Sequence, residues 1–120
     1  MNETNGHIAK PLFVNDGTRY FRLNIDEIFY VGVEDHYCHV YAVNGKRMVT
    51  LSSSLDAALD AMNLDGRFVK ISRYEFVNIL CIREVMGNII TLTDGIRLNI
   101  GKTFRGCLEP HFCILNSKRV

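Results

Sequence analysis

No apolar run in this sequence approaches the roughly 18 residues needed to cross a bilayer. The start, MNETNGHIAK, lacks the basic-then-apolar pattern of a secretory signal, so the cytoplasm is the expected location. There is little excess of either charge: 14 Lys and Arg stand against 13 Asp and Glu, a formal net charge of +1. Composition therefore gives no whole-protein argument for nucleic acid or an anionic membrane as a partner. The four cysteines, Cys38, Cys81, Cys107 and Cys113, form no CxxC pair and no close Cys/His ladder of the kind that structural zinc sites use. They read as small core residues in a reducing compartment, and neither a metal nor a cofactor is implied. Repeats and low-complexity tracts are also missing.

What is present fits one folded domain. The chain has 120 residues, 48% of them hydrophobic and 22% charged, enough apolar surface to offset conformational entropy. Its charge is unevenly spread. Residues 1–60 hold five basic and eight acidic residues, a net −3, whereas residues 61–120 hold nine and five, a net +4.

Patterning is mostly of the β type. After a polar arm over residues 1–11, short strand-like segments occur at Leu12–Val14, Tyr20–Leu23, Ile28–Val31 and Tyr37–Val43. The first two are separated by the turn signal Asn15-Asp16-Gly17, and the last two by an interruption from Gly32 to Asp35. Asn44-Gly45 predicts a type I′ hairpin, because both central positions of that turn need positive φ, with Lys46–Thr50 pairing back. One stretch has helical spacing: Leu55, Ala58, Leu59 and Met62 fall at i, i+3, i+4 and i+7, behind a capping pair Ser53 and Asp56. Further strands are predicted at Phe68–Ile71, Glu75–Asn78, Ile82–Val85, Ile89–Leu92 and Ile96–Ile100, with turns at Gly87-Asn88 and Asp94-Gly95. A short helix over Thr103–Leu108 is weakened by Gly106 and limited by Pro110.

Three constellations could carry chemistry. Glu34-Asp35-His36-Tyr37 with His39 has the residue types of an acid/base cluster, but no nucleophile or metal accompanies it, and a binding loop or a solvated tip suits it better. In Phe68–Asn78, alternation places Lys70 and Ser72 on one face before Arg73-Tyr74 leaves the strand. An arginine at a strand exit beside a hydroxyl suits bidentate recognition of a phosphate or a guanine edge. Gly101-Lys102-Thr103 invites comparison with a phosphate-binding loop, yet Ile96 stands where the first glycine of that motif belongs, which removes nucleotide hydrolysis. Lys102, Thr103 and Arg105 then form either an anion site or the cationic surface of a capped terminal turn. Cys38, beside the first of these segments, reads as a packed strand thiol more readily than as a redox handle.

The order of these features resembles the LytTR family of bacterial DNA-binding domains. Ile25-Asp26-Glu27-Ile28-Phe29-Tyr30-Val31, with the polar loop and Tyr37 after it, is similar to the family's opening D-I-x-Y-I-E-A strand and first recognition loop. Phe68–Asn78 resembles its F-x-R-x-H-R-S-x-x-V-N block, Ile82 and Val85 its I-x-x-I, and Ile100-Gly101-Lys102 its V-S-R. The resemblance covers roughly residues 12–112, leaving 113–120 as a tail. Ser72 stands where the family has His, Tyr74 where it has Ser, and Gly32-Val33 where it has Glu-Ala.

The resemblance implies a mainly β (α+β) fold, an elongated set of small antiparallel sheets with one short α-helix. It implies no enzyme, but a transcriptional regulator that reads the major groove of double-stranded DNA through loops, often at paired sites. Carried over by position, DNA contacts fall to His36, Tyr37, Lys70, Ser72, Arg73 and Lys102, with Arg105 as a nearby extension. The alternative is a LytTR-fold interaction module controlled by a partner protein, with little DNA binding. The expected solution state is a monomer or weak dimer that pairs on DNA. Without a receiver domain, control would fall to abundance, a protein partner or chemistry within the domain.

Overall fold

A computed structural model describes residues 10–118. Most of the polar arm lies outside the described residues. The described residues form ten strands and one α-helix. In order these are β1 (Phe13–Asn15), β2 (Tyr20–Arg22), β3 (Tyr30–Glu34), β4 (Tyr37–Tyr41), β5 (Arg47–Leu51), α1 (Leu55–Met62), β6 (Phe68–Ser72), β7 (Glu75–Asn78), β8 (Ile82–Met86), β9 (Ile89–Leu92) and β10 (Arg97–Asn99). All pairings are antiparallel. They make a β1-β2 ribbon, a five-stranded sheet in the order β5-β4-β3-β7-β6, and a three-stranded sheet in the order β10-β9-β8. A radius of gyration of 16.0 Å, against about 14 Å for a compact chain of this length, gives the elongated form expected of the fold class.

Alternation along β6 and β7 explains the layering. Phe68 and Phe76 join Val31, Cys38 and Val40 on one face of the large sheet, where α1 covers them with Leu55, Ala58 and Met62. Val69, Ile71 and Val77 point the other way and pack on Ile90, Leu92 and Leu98 of the small sheet. The hinge between these layers is polar but satisfied. Asn78 is buried, its Nδ2 donates to the Ile28 carbonyl at 2.9 Å, and its Oδ1 accepts the Leu80 amide at 3.0 Å.

Several boundaries differ from the sequence reading. The interruption predicted from Gly32 to Asp35 shrinks to a two-residue turn, because Gly32 stays in β3 opposite His39 and Glu75. A Cβ at Gly32 would already touch the Glu75 side chain at 3.4 Å. The Asn44-Gly45 turn has the predicted positive φ at both positions, with the Lys46 amide donating to the Val43 carbonyl, but its return strand starts one residue later, at Arg47. Ser54, and not Ser53, caps α1, its Oγ accepting the Ala57 amide at 3.1 Å. No α-helix forms over Thr103–Leu108. Two 3-10 turns, Lys102–Phe104 and Glu109–His111, stand on either side of Gly106, whose φ of +79° breaks the path.

In the β1-β2 turn, Asp16 Oδ1 accepts from the Thr18 amide, the Thr18 hydroxyl and the Arg19 amide. These bonds, the Thr18 amide first, hold its carboxyl at about 2, below the ordinary 3.8. A depressed value in the fold means the contribution is complete above about pH 4 and is lost as pH falls toward 2. The Thr18 and Arg19 amide resonances are expected to move through that window, and to stop doing so in Asp16→Asn.

Candidate nucleic-acid interface

Strand direction alone brings the predicted segments together. The β3-β4 turn lies at the C-terminal end of β3, and β7, antiparallel to β3, begins at that same end. The β6-β7 turn is therefore its neighbour, and the Val33 amide donates to the Tyr74 carbonyl at 2.8 Å, joining the two. The segment after β10 is drawn to the same place by the Gly101 amide, which donates to the Ile71 carbonyl at 2.7 Å. The approach is close: a Cβ at Gly101 would meet the Ser72 Cβ in van der Waals contact at 3.4 Å.

His36 sits at the tip of the first turn, exposed, with Asp35 and His36 both in the left-handed region at φ +54° and +70°. Tyr37 opens β4 and is half exposed. Arg73 and Tyr74 form the second tip, and the guanidinium carbon stands 5.6 Å from the Tyr74 ring centroid, a cation–π arrangement. Ser72 serves this turn directly, its Oγ accepting the Tyr74 amide at 3.1 Å. Lys102 is exposed at the start of its 3-10 turn, and Arg105 lies farther along, beside Gly87 and Asn88 of the β8-β9 turn.

Lys70 is placed apart from the others. A β-bulge between Lys70 and Ser72 breaks the alternation that would have put them on one face, so Lys70 stands opposite Phe76 on the α1 side and Ser72 opposite Glu75. There its Nζ meets Asp56 Oδ1 of α1 at 2.9 Å. Arg19 and Arg67 are likewise paired with carboxylates. Among the described residues Arg73, Lys102 and Arg105 form no salt bridge, so the cations without a protein counter-ion include those gathered at the turn cluster.

Sequence reasoning missed the role of Glu75. Its register opposite Gly32 and Ser72 puts a carboxylate beneath two of the turns, and burial pushes its pKa above the ordinary value. Only the pairing register could have revealed this. With its folded value raised, the side chain favours the fold most at low pH and loses that contribution as pH rises through the raised value. Glu75→Gln is expected to raise the melting temperature at pH 7, with the gain vanishing below about pH 4, in parallel thermal melts.

Cys38 is buried, its Sγ donates to the Ser53 carbonyl at 3.2 Å, and burial pushes its thiol pKa up, all of which suit a packed thiol. No three His, Cys, Asp or Glu side chains converge to hold a metal among the described residues.

Comparison with known families matches residues 18–109 to the LytTr DNA-binding domain. Among solved structures, a LytTr DNA-binding domain from Bacillus cereus is similar, with a TM-score of 0.65 at 16% identity, covering 82% of this chain and 96% of that one. A comparison with curated protein sequences returned no significant match.

Proposed function

The chain belongs to the LytTR family of DNA-binding domains, and from that premise we propose that it recognises a specific duplex element and regulates transcription there. One observation carries the reading: three turns tied backbone to backbone at one end of the large sheet present Arg73 and Lys102, which have no counter-ion among the described residues. An exposed guanidinium on a tight turn fits the paired O6 and N7 acceptors of guanine in the major groove. His36 and Tyr37 offer a second set of donors and acceptors one turn away, and Lys102 and Arg105 suit flanking phosphates. The Ser72 hydroxyl, its oxygen occupied by the turn, retains one proton to donate to a phosphate. Lys70, held by Asp56, adds charge at longer range only.

With about three phosphates neutralised, the log–log dependence of affinity on salt has a slope near −3, from about −0.9 per phosphate. Fluorescence anisotropy across a KCl series measures it directly. The decisive test of the function is selection from random duplex DNA. A recurrent element, alone or as a spaced pair, is expected; no enrichment over input would sink the proposal.

A second reading, a module for a protein partner, draws on one feature. Leu80 and Met86 flank and end β8 with 68% and 66% exposure, and Ile114 and Leu115 line a depression beside that strand. That reading predicts no retention on DNA at low salt together with a defined stoichiometric partner.

A further inference from the structure

The first turn has a structural difficulty. Asp35 and His36 are consecutive non-glycine residues in the left-handed region, where Cβ crowds the following carbonyl. Neither makes a side-chain hydrogen bond among the described residues, so the hold on this turn must come from outside it.

His39 supplies one. It lies in β4 opposite Gly32 and Thr50, on the face of the sheet away from Cys38 and Val40, and is only 7% exposed. Its Nδ1 stands 3.1 Å from Nη1 of Arg47 and 3.0 Å from the Thr50 hydroxyl, and its Nε2 stands 3.2 Å from the carbonyl oxygen of Glu34. A guanidinium has donors and no acceptor, so Nδ1 must present its lone pair to Arg47. The ring proton is then on Nε2, where it donates to the Glu34 carbonyl. Glu34 is the last residue before the turn and pairs with Tyr37 after it.

We propose that His39, its tautomer set by Arg47, is a positioning residue that fixes the β3-β4 turn for DNA recognition. The inference rests on the DNA-reading function given to that turn. The ring acts as a strut running from β5 to the base of the turn, and makes no contact with DNA itself. The Tyr41 ring centroid is 6.4 Å away, and on the same face of the sheet Glu75 flanks Gly32 on the side opposite His39.

The test separates the two ring nitrogens. Glutamine places an amide donor near Nε2 and keeps the bond to Glu34. Asparagine places a polar atom near Nδ1 and loses that bond, and leucine loses both. Against a duplex found by selection, His39→Gln is expected to bind within about twofold of wild type, while His39→Asn and His39→Leu weaken by about fivefold or more, the lower range of one base contact. Melting temperatures of all three are measured alongside; affinities that track stability instead of the Nε2 donor overturn the proposal. In the wild-type protein, a two-bond 1H–15N spectrum of the ring is expected to show a protonated Nε2 and a bare Nδ1. The opposite tautomer overturns the proposal whether or not any variant folds. Arg73→Ala is titrated in parallel: if it weakens binding while Asn and Leu at His39 do not, the positioning role alone is wrong. Wild-type affinity in Arg73→Ala would instead remove the DNA reading of the turn cluster.

Discussion

Arg73→Ala is expected to weaken specific DNA binding by about 1–3 kcal/mol, a rise in Kd of about 5- to 150-fold, while leaving the thermal melt close to wild type. The separation of the two effects follows from placement. Arg73 is exposed at the tip of the β6-β7 turn and has no carboxylate partner among the described residues, so the fold loses only its contact with the Tyr74 ring. A phosphate contact would behave differently from a base contact. If Arg73 reads guanine, the alanine variant also discriminates less at one base pair, and non-specific binding falls by less than specific binding. If it touches only phosphate, affinity drops evenly across sequences and the salt slope becomes shallower by about one unit. Anisotropy titrations on the selected duplex, on a single-base variant and on unrelated DNA distinguish these patterns. Arg73→Lys refines the result, since an ammonium keeps the charge but lacks the planar fork of donors.

The second large effect is on stability. Phe76→Ala should cost about 3–5 kcal/mol, because it removes a fully buried ring from the layer between α1 and the large sheet. The ring packs edge-on against Phe68, with centroids 5.5 Å apart and planes at 70°, so the truncation leaves a second aromatic without its partner. Domains of this size are stable by only about 5–15 kcal/mol, and the melting temperature is expected to fall by more than about 12 °C. Phe76→Leu, which fills much of the space, should lose distinctly less. Because Phe76 lies one residue from Glu75 in β7, circular dichroism and DNA binding are expected to fail together in the alanine variant. In Arg73→Ala only binding fails. That contrast checks the division between core and interface in one pair of proteins.

Much of this arrangement could be read from residue order, and the reasons differ by element. The i, i+3, i+4, i+7 stripe from Leu55 to Met62 defined α1 because a helix buries one side and its period is rigid. Asn44-Gly45 located a turn because its two residues tolerate positive φ. Asp35 and His36 adopt the same geometry, but their residue types signal it weakly, so the β3-β4 hairpin reads in sequence as a longer interruption than the two-residue turn it forms. The bulge at Lys70–Ser72 had no signal at all. Its cause is pairing with β7, a relation between strands, and it separates Lys70 from the residues it neighbours in sequence. His39 shows the same limit. Alternation could place it on the face opposite Cys38 and Val40, but its partners Arg47 and Glu34 were brought to it only by the register of three strands.

The tethers between the turns bear on how such a protein acquires new targets. Val33 is bound to Tyr74, and Gly101 to Ile71, through main-chain atoms alone, which every residue type except proline can supply. These tethers therefore place no demand on the side chains at 36, 73 and 102. If His36 and Arg73 read bases as proposed, changing either would alter the recognised sequence while the main-chain tethers stay in place. On that reading, DNA preference would change by single substitutions at the turn tips, with the spacing between the tips kept by the main chain.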